Sequence, residues 1–419
     1  MGKLTRSERQ WVLYDVGNSA FVMLVTTILP IYFKNMATAA GVPLSRSTAY
    51  WSFAAATATL LVAVSGPVLG AVADIRGFRK PVFALLLAIG VGGCAALALP
   101  LGWLAFLGVF VLAKVGFSAS LICYDAMLVD VTEDDRMDSV SSLGFAFGYI
   151  GSCIPFVAGL ALILTADRTG LGAVRATVLA ILLIAAWWLL CSLPLLRGYR
   201  QRHYTERQPA IARSTFRHLG ATLREIRGQP EILWFLIAFF FYIDGVHTII
   251  ELATSYGKDV GVADNQLLLA LLLTQVVAFP CALLFARLSR RFEASRLISA
   301  SIVAYIGITL FALQLDRASE FWVLAVCVAI FQGGIQALSR SYFARIIPKE
   351  KCGEYFGFYD IFGKGASFMG TSLVGLFTHL FGSSRAGVAV LPLLFTVGYF
   401  LLRRAVRMAP SAAQEPACK

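Results

Sequence analysis

Twelve apolar runs, each close to the length that a helix needs to cross a bilayer, divide this chain from end to end. A membrane-spanning helix takes about 20 mostly apolar residues. Runs of that kind fall at 12–34, 48–73, 81–100, 102–129, 141–166, 173–196, 232–257, 266–288, 297–314, 319–343, 355–380 and 387–405. No segment alternates apolar and polar residues as a membrane barrel strand does, so the expected fold is all-α and integral to the membrane. Charge agrees with this. Only 14% of the 419 residues are charged, where a soluble domain carries about 25%. The net charge of +12 would suggest nucleic-acid binding in a soluble protein. Here the basic residues sit in short loops between apolar runs, which makes them topology signals, and no nucleic-acid partner is expected.

Those loops predict an orientation, because Lys and Arg accumulate on the cytoplasmic side. Arg76, Arg79 and Lys80 follow span 2. Arg287, Arg290, Arg291 and Arg296 surround the turn between spans 8 and 9, and Arg403, Arg404 and Arg407 follow span 12. Both termini are therefore expected in the cytoplasm of a bacterial inner membrane. Residues 130–138 form an acidic loop on the same side, and acidic residues weigh little in the rule. Span 1 lacks a small-residue cleavage site and contains Asp15, so it reads as a retained helix and not a signal peptide. The eight cysteines form no C-x-x-C pair and read as small packing residues.

The organisation is two halves. Residues 1–196 hold six spans, 197–231 form a basic linker, 232–405 hold six more, and 406–419 make a tail. Eight arginines load the linker, among them Arg200, Arg202, Arg207 and Arg213. The simplest expectation is a solvated segment touching anionic headgroups. The halves also repeat weakly at an offset of 215: 70–80 aligns with 285–292, 128–132 with 343–347, and Gly148 with Gly363. A repeat of this kind, related along the membrane normal, puts a substrate site near the midplane between halves.

The segment from Gly70 to Lys80 (GAVADIRGFRK) resembles the signature between spans 2 and 3 of major facilitators, G-x-x-x-D-R-x-G-R-R. Gly70, Asp74, Gly77, Arg79 and Lys80 fit, while Ile75 and Phe78 depart from it. Gly77 suits a tight turn. The resemblance implies that Asp74 faces the positive N-terminus of span 11, and that Asp74, Arg76, Gly77 and Arg79 work as a gate, with Arg76 and Arg79 bridging to carboxylates across it. Three further segments resemble the vacuole-effluxer-like branch, which includes a yeast vacuolar amino-acid effluxer of autophagy. They are Trp11–Phe21 (WVLYDVGNSAF), Phe241–Ile249 (FYIDGVHTI), and Gly333–Tyr342 (GGIQALSRSY) followed by Glu354–Tyr359 (EYFGFY). Val16-Gly17 replaces the family's usual Trp-Ala, and Ile243 stands where Asn is frequent. The resemblance covers nearly the whole chain and implies twelve helices in two six-helix bundles, with export of amino acids or similar small metabolites.

Charge in a bilayer centre is costly, so each ionisable residue there demands a role. Span 7 carries Asp244, His247 and Glu251 at i, i+3 and i+7, expected on one face near the midplane. A carboxylate beside an imidazole can hold and pass a proton. The alternative is a polar network that only packs helices. On the first reading, Asp244→Asn abolishes gradient-driven uptake. Span 1 offers Asp15 and Asn18, with Asp15 about one turn from the cytoplasmic end, as gate or ligand. Span 11 has Asp360 and Lys364 at i, i+4, either a permanent ion pair or a cation for a substrate carboxylate. The glycines of span 11 (Gly357, Gly363, Gly365 and Gly370) suggest a helix that bends. Span 4 has Lys114, Tyr124 and Asp125. The two charges stand eleven positions apart, about 16 Å along the axis, so each needs a partner elsewhere. Gln275, Gln332 and Gln336 add uncharged donors and acceptors.

No Walker loop, zinc motif or catalytic set is present. The expected activity is a secondary active transporter, not an enzyme, moving a small polar solute by alternating access with proton coupling. No cofactor or metal is expected, and the chain is expected to act as a monomer. Competing readings are a facilitative uniporter of another metabolite, a membrane enzyme, or a transport-inactive receptor or scaffold. Gradient-dependent flux separates the secondary transporter from the enzyme and the scaffold.

Overall fold

The computed structural model describes residues 4–206, 215–259 and 262–408. Among these, twelve helices have spanning length: α1 (Arg6–Ala39), α2 (Leu44–Asp74), α3 (Arg79–Ala96), α4 (Trp103–Ala126), α5 (Met137–Leu164), α6 (Ala173–Gly198), α7 (Pro230–Asp259), α8 (Asp264–Leu288), α9 (Ala294–Ala312), α10 (Ala318–Ile346), α11 (Cys352–Phe381) and α12 (Leu391–Met408). By length and apolar composition eleven helices qualify as spans. The twelfth, α11, carries Glu354, Asp360 and Lys364. Large apolar side chains such as Leu60, Leu104, Leu164 and Phe400 are more than 60% exposed. An outer face like this suits lipid as its solvent and would be a liability in water.

Several ends differ from the sequence expectation. The largest change is at α1, expected from residue 12 but starting at Arg6. Thr5 and Glu8 form a capping box: Glu8 N donates to Thr5 Oγ1 (3.2 Å) and Thr5 N donates to Glu8 Oε2 (2.7 Å), so orphan amides of the first turn are satisfied. Asp15 therefore lies nine residues along the helix, about 14 Å from its start at 1.5 Å per residue, and not one turn in. Within α1, Leu24–Ile28 is a π-helical turn, where the ladder rearranges just before Pro30.

Each half packs into its own bundle. In the first, α1 lies on α5 and α6, and α4 on α2 and α3. In the second, α7 lies on α12, and α10 on α8 and α9. The halves meet along α2 with α11, and along α5 with α8 and α10. The α2–α11 seam is held very close by glycine. A methyl group on Gly70 would come within 2.0 Å of the Gly353 carbonyl oxygen. The internal repeat reappears as bonding. Tyr14 and Ser120 join α1 to α4 through their hydroxyls (2.8 Å), and Tyr242 and Ser339 join α7 to α10 in the same way (2.7 Å).

The linker departs from the solvated segment expected. Residues 199–206 dock on the first half: Gln201 Oε1 accepts from Gly77 N (2.9 Å), its Nε2 donates to the Ala73 carbonyl (3.2 Å), and Thr205 bridges to Ile75. The helix Thr215–Gly228 docks on the second half, where Thr222 donates to Glu354 and Lys351 pairs with Glu225 (2.6 Å). Arginine count drew the sequence reading toward solvent, while Tyr199, Gln201, His203 and Thr222 make the contacts. Arg207 and Arg213 lie outside the described residues.

Candidate functional site

An even number of spans brings residues 4 and 408 to one end of the bundle, called the terminal face here. On that side the halves are joined by polar contacts. α5 supplies Asp138, which accepts from Ser341 and pairs with Arg345 of α10 (2.8 Å). Ser139 donates to the Ala286 carbonyl of α8 (3.0 Å), and Lys349 pairs with Asp134 (2.8 Å). Asp74 accepts from Gly353 N and Glu354 N (2.8 Å each), at the positive end of α11.

The four residues expected as a gate separate into two groups. Gly77 turns the chain with φ +78°, a conformation open to glycine without a Cβ penalty. Arg79 is fully buried and pairs with Asp74 (2.5 Å) and Asp130 (2.7 Å). Both acids belong to its own half, so Arg79 does not bridge across the gate. Arg76 is corrected further: it is exposed and pairs with Glu206 of the linker at 3.5 Å. Asp130 gathers more donors than Arg79 alone, from Tyr199 Oη, Arg202 N (3.1 Å), His203 N (2.9 Å) and the His203 ring (3.0 Å). Burial pushes this carboxyl up. His203, Arg79 and Tyr199 outweigh that and hold it below the usual carboxylate range.

Above these contacts a cavity of about 440 Å³ opens between the halves. It collects most of the polar residues that the sequence marks. Asp15 and Asn18 come from α1, Asp125 from α4, His247 from α7, Gln275 from α8, Gln332 and Gln336 from α10, and Asp360 and Lys364 from α11. Lys364 Nζ contacts both oxygens of Asp360, at 2.6 and 2.7 Å. Phe117, Phe145, Tyr149, Phe239 and Tyr359 supply aromatic walls.

Three expected site residues are not in this lining. Asp244 is fully buried and turned to α11, its Oδ1 accepting from Gly370 N of that helix (2.9 Å) and from Thr248 Oγ1 of its own helix (3.4 Å). Three residues on a helix return to within 60° but not to the same direction. His247 therefore faces the cavity while Asp244 faces its neighbour. Glu251 is exposed, within electrostatic range of Lys114 on α4. Tyr124 lies behind the wall, its ring stacked 4.4 Å from Trp11 and its carbonyl accepting from Trp11 Nε1 (2.9 Å). Trp188 packs against Phe21 and Phe117.

The sequence reading missed the residue at the cavity floor. Arg340, 4% exposed, reaches from α10 into the first half. It donates to Ser141 Oγ (3.0 Å), the Ser141 carbonyl (3.1 Å) and Asp125 Oδ1 (3.1 Å), and faces Asp15 Oδ2 at 3.6 Å. Its guanidinium lies 4.6 Å from the Trp11 ring and 4.6 Å from that of Phe145, a geometry that favours a cation. Arg340 stands three residues before the expected end of span 10, and the sequence reading gave it no role. A signal was available: Asp125 and Arg340 stand 215 residues apart, the offset of the internal repeat, and so do Asp134 and Lys349. The repeat places equivalent positions of opposite charge against each other.

Comparison with known proteins gives concordant results. Residues 5–414 match the family model described as Vacuole effluxer Atg22 like. An uncharacterized MFS-type transporter, YxiO of Bacillus subtilis, is 42% identical over 96% of this chain and 95% of its own length. Autophagy-related protein 22-1 of Aspergillus fumigatus is 25% identical over 67% of this chain. The chain spans about half the length of that fungal relative. Among solved structures, the E. coli fucose:proton symporter FucP superposes with a TM-score of 0.71 at 14% identity, over 96% of this chain and 97% of that one. An outward-facing bacterial homologue of the iron transporter ferroportin gives 0.71 at 13%, over 96% and 100%. At these identities the likeness is one of fold.

Proposed function

The chain belongs to the vacuole effluxer Atg22-like family, and on that premise we propose that it moves a small polar solute, an amino acid or close relative, by proton-coupled alternating access. It is a membrane transporter of the major facilitator type and not an enzyme. The finer reading rests on the cavity between the halves. Its volume of about 440 Å³ falls in the usual range for small-molecule sites, roughly 300–1,000 Å³. Lys364 and Arg340 offer cations for a carboxylate, and Asp15, Asp125 and Asp360 offer anions for an ammonium. A zwitterion uses both. The terminal-face contacts suit a state closed on that side, and separating them is the step that alternating access requires. Basic residues at that face, including Arg76, Arg287 and Arg403, support a cytoplasmic location for both termini in a bacterial plasma membrane. The working unit proposed is a monomer.

The test is flux. The protein in liposomes under an inward proton gradient is screened with labelled amino acids and related metabolites. Uptake that collapses with a protonophore is the expected result. Uptake indifferent to the protonophore would make it a uniporter, and absence of uptake for every solute would return the chain to a receptor or scaffold.

A further inference from the structure

The charges at the cavity floor do not balance. Arg340 is one cation facing two carboxylates, Asp125 and Asp15. Lys364 offers no relief, because it already holds Asp360. The two acids are not equally served. Asp125 takes a direct bond from Arg340 (3.1 Å). Asp15 is 7% exposed, its Oδ1 takes only a 3.5 Å contact from Asn18, and its Oδ2 has no hydrogen-bond partner. The groups around it are Tyr14 and Asn18 on its own helix, Tyr124 and Asp125 from α4, Tyr149 from α5, Arg340 from α10, and, lining the same cavity, His247 from α7 and the Asp360–Lys364 pair from α11. Among these groups Arg340 is the one cation not already paired with Asp360, and it is shared between Asp125 and Asp15.

The cation and the acids also belong to different halves. Arg340 is carried by α10, and Asp15 and Asp125 by α1 and α4. Parting the halves at the terminal face withdraws the guanidinium and leaves two neighbouring carboxylates with none. Like charges in a poorly solvated site cannot both persist, and one is neutralised. We propose that Asp15 is the proton-binding group of this transporter, and that Arg340 expels the proton each time the halves close at the terminal face. This rests on the proton-coupled reading above and names its site. In the opening direction a proton leaves a hydronium ion in cavity water and forms an O–H bond at an Asp15 carboxylate oxygen. In the closing direction that bond breaks, the proton returns to water, and Arg340 resumes its place. The closed state binds fewer protons, so acid favours the state open at the terminal face.

Spin labels at Lys80→Cys and Arg291→Cys, exposed positions in the two halves, read this opening without any solute. Between about pH 8 and about pH 5, the wild-type label distance is expected to shift to a longer population. Asp15→Asn leaves one acid for one arginine and is expected to lose that shift and stay short. Asp15→Glu restores a titration with a displaced midpoint, which separates a proton site from a packing role. Arg340→Gln is expected to give the long distance throughout. An Asp15→Asn protein that titrates like wild type, a wild-type distance that ignores pH, or one that follows sodium at constant pH would overturn the proposal. Solute flux in liposomes is measured separately, so transport can stand while this assignment falls.

Discussion

Two buried arginines, each placed between two aspartates, have different surroundings. Arg79 sits between Asp74 and Asp130, and both acids collect further donors: two backbone amides of α11 on Asp74, and Tyr199, Arg202 N and His203 on Asp130. Arg79 and its acids lie in one half, so they can stay together while the halves move. Arg340 crosses between halves, and one of its acids, Asp15, keeps an unpartnered oxygen. The acids of the first cluster are saturated, although Arg79 Nε has no hydrogen-bond partner, and a cluster whose acids are saturated stabilises a state. An unsaturated cluster divided between two moving bodies can exchange a ligand. The first reads as architecture and the second as machinery.

The largest expected effect is on the saturated cluster. Arg79→Leu leaves Asp74 and Asp130 without their cation, and breaking a buried pair from one side costs about 3–5 kcal/mol. Thermal unfolding in detergent should show a much less stable protein. Asp130→Asn should act in the same direction with a definite pH dependence. The folded carboxyl is held below its ordinary range, so its contribution is present above about pH 4 and fades as pH falls through the lower folded value. The gap in melting temperature between wild type and Asp130→Asn should narrow in acid. A gap independent of pH would place the loss elsewhere.

Next in size is Arg340→Gln, expected to remove gradient-driven uptake while the protein still purifies as a folded species. Arg340→Lys should not rescue it, because an ammonium cannot reproduce the forked bonds and the stacking on Trp11 and Phe145. Rescue by lysine would reduce Arg340 to a point charge. Lys364→Met is expected to raise KM or change solute preference several-fold, with the proton response retained. Intact transport and preference would remove Lys364 from the site. The smallest effect is expected at Asp244→Asn. The amide keeps an acceptor for Gly370 N, and the residue is outside the cavity lining, so uptake should stay near wild type. Abolished uptake with normal expression would restore the role that its sequence position suggests.

Much of the fold was legible in the sequence, because span length is a property of single segments and the repeat shows in the order of those segments. The capping box at Thr5 and Glu8 was equally local, and overlooking it displaced Asp15 by about one and a half turns along the helix. The site was legible only in part. Helical spacing groups residues on one helix, and it correctly brought Asp360 to Lys364. It misgrouped Asp244 with His247, since a 60° difference separates the cavity from the α11 seam. Partners on different helices cannot be read from spacing. Arg340 was hidden for that reason, although the 215-residue offset that links it to Asp125 was visible.

The central claim is that solute crosses only when the halves part at the terminal face. Asp134 and Lys349 meet there across the seam, so Asp134→Cys with Lys349→Cys can be joined by a short reducible bifunctional crosslinker in proteoliposomes. The account predicts that uptake falls to background as crosslinking approaches completion and returns on reduction. Full uptake through quantitatively crosslinked protein would contradict it.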